Sequence, residues 1–312
     1  MEISIVIPCY NTTPIIYEMI EEIKKAMKLI NVKEYELILV NDCSPNPDTI
    51  TMLKDIVQAN DFVKLIDLAK NTGQANAQVA ALNYVSGQYI INMDDDMQTH
   101  PKNIPYLYDK IKEGYDLVLG KYKKKRHSVF RNFLTKADDK FEKIFINKPE
   151  DINFTSFWIT QRYITDEIKK YKNPYSFMEG LFIRSAGKIC NVEIEHFDRQ
   201  EGTSGYNFKK LVKLWSNFTG FTILPLRIAD AIGGITALLG IIFMIKIIIN
   251  KIQDPSMPMG YASTMSVILL FFGVTISLIG IVGEYIGRIF MSINGTPQYI
   301  IKQKYGFDKE EK

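Results

Sequence analysis

Three consecutive aspartates, Asp94, Asp95 and Asp96, stand where an apolar run ends. Like charges in a row are costly unless a cation neutralises them. Their hard oxygens suit Mg2+ or Mn2+, ions that also coordinate a substrate's phosphates. Gln98, His100 and Pro101 follow, giving MDDDMQTHP. A solvated acidic turn has the same composition, so the triplet decides little alone. Its companions decide more. Three other polar clusters, at 8–11, 41–44 and 70–74, also follow apolar runs. A further chemical signal is the basic run KYKKKRH at 121–127, with Arg131 beyond it. Lys and Arg hold phosphates, Arg bidentately. For Lys123, Lys124 and Lys125 a solvated loop or contact with anionic lipid fits better.

The elements that carry these clusters follow from hydrophobic period. Apolar runs at 3–7, 35–40, 63–68 and 89–93 read as buried strands. Between them, 15–30 has Ile16, Met19, Ile20, Ile23, Met27 and Ile30 at helical spacing. Residues 49–57 and the Ala-rich 73–85 also read as helices. This alternation predicts parallel strands joined by helical crossovers. In such sheets ligands bind beyond the carboxyl ends of the strands. One surface then collects all four clusters.

The last third differs. Residues 208–218 carry Phe208, Leu211, Val212, Trp215 and Phe218 on one helical face, with Lys209, Lys210 and Lys213 off it. That pattern suits a helix lying on a membrane surface. Residues 228–249 and 261–282 are each 22 long, with charges only near the ends of the first. A bilayer core needs about 20 apolar residues. The short loop between them predicts a helical hairpin. Lysines and arginines crowd its outer flanks, whereas the loop holds Lys251 alone. The positive-inside rule then puts both termini in the cytosol.

Composition narrows the remaining classes. A net charge of +3 is too small to argue for nucleic acid. Cys9, Cys43 and Cys190 form no CxxC pair, against a zinc site or disulfide scaffold. No basic stretch followed by a long apolar run opens the chain, so no signal peptide is expected.

MDDDMQTHP resembles the D-x-D-x-Q segment of family-2 glycosyltransferases. IVIPCYN, LVNDCSPNPD and DLAKNTGQANA resemble that family's earlier motifs, with Thr12 where Glu is frequent and Lys70 where Arg is usual. HFDRQEGTSGYNFKKLVKLW, LPLR and GEYIGRIF with PQYII resemble its polyprenyl-phosphate branch. The resemblance implies an α/β, Rossmann-like GT-A domain that binds a nucleotide sugar. An amphipathic interface helix and two C-terminal transmembrane helices would follow. The expected boundaries are 1–205 for the catalytic domain, 206–227 for the juxtamembrane segment, 228–290 for the hairpin and 291–312 for a cytosolic tail.

The same resemblance implies roles. Pro8, Tyr10, Asn11, Asp42, Lys70, Gly73 and Asp95 would contact the nucleotide sugar. Asp94, Asp96 and Gln98 would meet Mg2+ or Mn2+ and the diphosphate. Arg126, Arg131, Thr135, Arg199, Ser204 and Tyr206 would serve the acceptor phosphate. Asp94, Asp96, Arg131 and Arg199 form the expected catalytic set. The implied reaction is inverting transfer from a nucleotide sugar, with UDP the leading carrier and a guanine nucleotide left open, to a polyprenyl phosphate such as undecaprenyl phosphate. The implied location is the cell inner membrane, with the catalytic domain on the cytoplasmic side. Self-association is left open.

Three other readings are weaker. A processive polysaccharide synthase would carry Q-x-x-R-W, and the nearest string is Gln161-Arg162-Tyr163. A nicotinamide oxidoreductase would carry G-x-G-x-x-G where Pro8-Cys9-Tyr10-Asn11 stands. A non-catalytic scaffold for glycolipid export would not need the acidic strand end.

Overall fold

A computed structural model describes residues 1–122, 148–195, 223–253 and 260–307. The chain divides into two compact units, Met1–Lys210 with Gly295–Lys312, and Leu211–Asn294.

The first unit is organised around one sheet. Strands β1 (Ile3–Cys9), β2 (Tyr35–Asn41), β3 (Val63–Leu68) and β4 (Tyr89–Asn92) run parallel in the order β4-β1-β2-β3. Helices α1 (Ile15–Leu29), α2 (Pro47–Ala59) and α3 (Gln74–Leu82) connect them, as the alternating pattern predicts. Consecutive residues of β1 and β2 are buried, which marks a sheet covered on both faces. Helix α1 buries Ile16, Met19, Ile20, Ile23 and Met27, the expected stripe. Helix α2 starts two residues before its apolar pattern does. Asn46 accepts a hydrogen bond from the Asp48 N–H at 3.0 Å, and Pro47 presets the first helical φ. Helix α3 buries Ala77, Ala80 and Ala81 against β1 and β2, where small side chains permit close approach.

The sheet then becomes mixed. Helix α4 (Ile104–Lys112) leads to β5 (Leu117–Tyr122). Strand β6 (Trp158–Gln161), α5 (Arg162–Ile168), α6 (Met178–Ser185) and β7 (Ile189–Ile194) follow. Strand β6 lies antiparallel to both β4 and β5, and β7 pairs parallel with β5. Trp158 of β6 meets Phe182 of α6 edge to face, with centroids 4.8 Å apart.

The segment expected as a tail, 291–312, needs correcting. Residues Ile301–Tyr305 form β8, antiparallel to β3, and complete the order β7-β5-β6-β4-β1-β2-β3-β8. Ile301 and Tyr305 are half-buried, whereas Lys302, Gln303 and Lys304 are exposed. Five residues with two lysines give little hydrophobic signal, as is usual for a protected edge strand.

At the amino ends of the strands, a carboxylate is fully buried. Glu36 of β2 accepts from Ser4 Oγ at 2.6 Å, Ser86 N at 2.6 Å and Lys64 Nζ at 2.8 Å. Gly87 belongs to the same junction, because a Cβ there would stand 2.5 Å from the Ser4 nitrogen.

The second unit contains α7 (Leu224–Gln253) and α8 (Tyr261–Ile293). Both are longer than the expected 22-residue spans. By length and composition, Leu224–Phe243 and Phe271–Ile293 could each cross a bilayer. The second window lies further along than the expected 261–282. Glu284 and Arg288, which fall inside it, pair with each other one turn apart at 2.7 Å. The amphipathic segment expected at 208–218 lies outside the described residues.

Candidate active site

The carboxyl ends of β1, β2 and β4 and the loop after β3 converge on one cleft of about 340 Å³. Pro8, Cys9, Tyr10, Asp42, Asn71, Gly73, Gln74, Asp94, Asp95 and Asp96 line it. Seven of these are expected site residues: Pro8, Tyr10, Asp42, Gly73 and the three aspartates.

Strained backbone shapes this edge. Asn11, Cys43 and Met97 have φ of 53°, 52° and 57°, in the loops after β1, β2 and β4. Such left-handed conformations cost about 1–2 kcal/mol per non-glycine residue, and they concentrate at functional loops. A polar chain holds the loops together. Asn11 N–H donates to Ser44 Oγ at 3.0 Å, Ser44 Oγ donates to Asn41 Oδ1 at 2.7 Å, and Asn41 Nδ2 donates to Asp67 at 2.7 Å.

Asp42 organises the next wall. Its Oδ1 accepts from Thr72 N–H at 2.7 Å, and its Oδ2 from Gly73 N–H at 2.8 Å. Gly73 has φ of 84°, a conformation that other residues rarely adopt. The carboxylate thus shapes the loop that lines the cleft.

The three aspartates diverge in environment. Asp94 accepts from Gln74 Nε2 at 2.7 Å and from the Ser156 hydroxyl. Asp95 accepts from the Thr12 hydroxyl. Burial and the charges of Asp94 and Asp96 push the Asp95 carboxyl up to about 6, against the lowering effect of Thr12. Asp96 accepts from the Gln98 backbone N–H at 3.1 Å. Burial, reinforced by the Asp95 charge, raises the Cys9 thiol strongly, which favours its protonated form. Tyr122 is raised by burial and by Asp94 and Asp96, and its hydroxyl lies 2.7 Å from that of Thr99.

Other expected residues stand elsewhere. Gln98 does not line the cleft; it meets Asp96 through its main chain. Asn11 and Lys70 are exposed beside the cleft and do not line it either. His100 caps the short helical turn Pro101–Asn103, its Nδ1 accepting from Lys102 N–H at 3.1 Å. Arg126, Arg131, Thr135, Arg199, Ser204 and Tyr206 lie outside the described residues. Asn71 and Gln74 belong to the 70–74 cluster expected on this surface, although no role was expected of them individually; Ser156 was not foreseen. Ser156 reaches Asp94 only because β6 pairs with β4, a relation across 62 positions that no local pattern announces.

The donor set bears on a metal. Among the described residues no group of three or more His, Cys, Asp or Glu side chains could hold an ion. Asp94 and Asp96 nevertheless both line the cleft. Mg2+ is commonly held by one or two carboxylates, with the remaining ligands from water and substrate phosphates. Two carboxylates in an open cleft fit that arrangement.

Residues 4–169 match the family described as glycosyl transferase family 2, and residues 224–289 match the GtrB C-terminal hairpin. The putative glycosyltransferase CsbB of Bacillus subtilis is 32% identical, over 96% of this chain and 91% of its own. The undecaprenyl-phosphate 4-deoxy-4-formamido-L-arabinose transferase of Proteus mirabilis is 29% identical, over 100% and 96%. Among solved structures, glucosyl-3-phosphoglycerate synthase from Mycobacterium tuberculosis, in complex with Mn2+ and UDP-glucose, superposes with a TM-score of 0.52 at 15% identity. It covers 71% of this chain and 79% of its own. That likeness establishes the shared fold.

Proposed function

Because this chain belongs to glycosyl transferase family 2, we propose that it transfers a sugar from a nucleotide-sugar donor, UDP-linked, to a polyprenyl phosphate at the cytoplasmic face of a bacterial inner membrane. One observation carries the donor half: Asp94 and Asp96 share a single cleft with Tyr10, Asp42 and Gly73. The acceptor half is supported by the hairpin match and by the lipid-phosphate substrate in the name of the Proteus relative. Helices α7 and α8 would anchor the chain where that acceptor resides.

In this reading Pro8, Tyr10 and Gly73 receive the nucleotide, with Asp42 fixing the loop at Gly73. Asp94 and Asp96 would hold Mg2+ or Mn2+ with the donor's diphosphate. A bound divalent ion supplies charge neutralisation for the leaving group. Arg131 and Arg199, with Arg126, Thr135, Ser204 and Tyr206, are proposed to hold the acceptor phosphate. That phosphate is already anionic, so the reaction needs no general base. Its oxygen forms the new bond to the anomeric carbon while the bond to the nucleoside diphosphate breaks. The leaving group departs with the electron pair, and the anomeric configuration inverts.

The test uses purified full-length protein, undecaprenyl phosphate and a panel of UDP- and GDP-sugars, with and without Mg2+ or Mn2+. The reading expects one donor to give an organic-extractable glycolipid only when the metal is present. Turnover undiminished in excess chelator removes the metal from the account. Labelling of a water-soluble acceptor alone removes the lipid.

A further inference from the structure

Asn71, Gly73 and Gln74 form one wall of the cleft. The back of that wall is braced by the residues between α8 and β8. Gln298 is 8% exposed, and its Nε2 donates to the carbonyls of Tyr171 at 3.0 Å and Asn173 at 2.9 Å, and to Ser176 Oγ at 3.2 Å. These three acceptors lie in the turn between α5 and α6. The same turn is tied to the start of α3, because Asn76 Nδ2 donates to Pro174 O at 3.0 Å and to Thr72 O at 3.2 Å. The next residue, Tyr299, accepts from Asn83 Nδ2 at 2.9 Å, just past the other end of α3. Ile300 O accepts from Ala69 N–H at 2.8 Å, two residues before Asn71.

We infer that Gln298, Tyr299 and Ile300 position the wall formed by Asn71, Gly73 and Gln74, with Gln298 the principal positioning residue for donor binding. Each of the three fastens a different support of that wall. Gln298 fixes the turn that Asn76 grips, Tyr299 fixes the far end of α3, and Ile300 fixes the strand end that enters the loop. Gln298 is suited to this because its carboxamide carries two N–H donors and needs no charge to hold two carbonyls in a buried place. The wall then presents Gln74 to Asp94 and Gly73 to Asp42. The link to donor affinity rests on the function proposed above; the mechanical link does not.

The experiment uses full-length protein in detergent, as wild type, Gln298→Ala, Gln298→Met, Asn76→Ala and the Gln298→Ala/Asn76→Ala double variant. Hydrogen exchange is read over 70–77 and, as a control, over α1. Apparent KM is measured for nucleotide sugar and for polyprenyl phosphate. Loss of one buried hydrogen-bonding group should accelerate exchange over 70–77 about tenfold, with α1 unchanged. Donor KM should rise by about the same factor, while acceptor KM holds. Gln298→Met keeps the length and loses the donors, so it should resemble Gln298→Ala. The double variant should be no worse than its more damaged parent, since the two substitutions break successive links of one chain of contacts. Unchanged exchange over 70–77, an equal rise over α1, or multiplied effects in the double variant overturns the inference. A wild type inert toward every nucleotide sugar sinks the proposed function, and the exchange result still decides whether Gln298 holds the wall.

Discussion

Gln74 Nε2 donates to Asp94 Oδ1 at 2.7 Å, joining the first residue of α3 to the second residue beyond β4. The bond joins two residues that line the cleft and sets the direction of a carboxylate that also accepts from Ser156. Hydrogen bonds to charged groups contribute about 1.5–3 kcal/mol. Gln74→Ala should therefore lower kcat/KM for the donor by at least about tenfold, with little change in Tm. Gln74→Glu should do worse, because it sets a second carboxylate against Asp94. Steady-state kinetics of both variants check the order; a Glu variant as active as the Ala variant contradicts it.

Asp42 provides an independent handle on the same wall. Replacing it with Asn turns an acceptor into an N–H2 that faces the Thr72 or Gly73 N–H. Leaving such a donor unsatisfied costs about 1–3 kcal/mol. Asp42→Asn should weaken nucleoside diphosphate binding, read by calorimetry, by roughly tenfold or more. Wild-type affinity in this variant would show that the loop does not need its carboxylate.

Glu36 predicts a pH dependence of stability. Burial alone would raise its carboxyl, but bonds from Lys64, Ser4 and Ser86 outweigh burial and hold it below the usual carboxylate range. A carboxylate depressed in the folded state contributes stability that is fully present above its unfolded value, about 4.3. The contribution is lost as pH falls through the lower folded value. Glu36→Gln should lower Tm at pH 7, and the gap to wild type should narrow below about pH 4. A gap that is constant from pH 7 to pH 3 refutes this role.

Much of the cleft was legible locally. Each of the first four strands is a short apolar run ended by polar turn residues, so the sheet core and the cleft edge could be read from residues 1–101. What escaped depends on distant pairing. Ser156 reaches Asp94 through β6, and Gln298 reaches the 171–176 turn across more than 120 positions. Neither sits in a hydrophobic pattern, and both act through hydrogen bonds whose partners only folding brings close. Strand β8 was hidden for another reason: its exposed lysines mimic a solvated tail. Gln98 was placed by motif alone, and its side chain does not line the cleft.

The expected topology has a direct check. Ser256 falls between the two long helices in sequence, and Lys302 lies in β8. With a membrane-impermeant thiol reagent on intact cells, Ser256→Cys should be labelled and Lys302→Cys should not. The native Cys9, Cys43 and Cys190 stay silent on the cytoplasmic side in this arrangement. Labelling at 302 and protection at 256 inverts the chain.

In the proposed reaction the bond broken is the one between the sugar and the nucleoside diphosphate. The most direct measurement is the nucleotide released per glycolipid formed, with undecaprenyl phosphate and the cognate donor. One nucleoside diphosphate should appear per lipid-linked sugar, and none from Asp96→Ala. Release of nucleoside monophosphate, with a sugar joined to the lipid through a diphosphate, contradicts it.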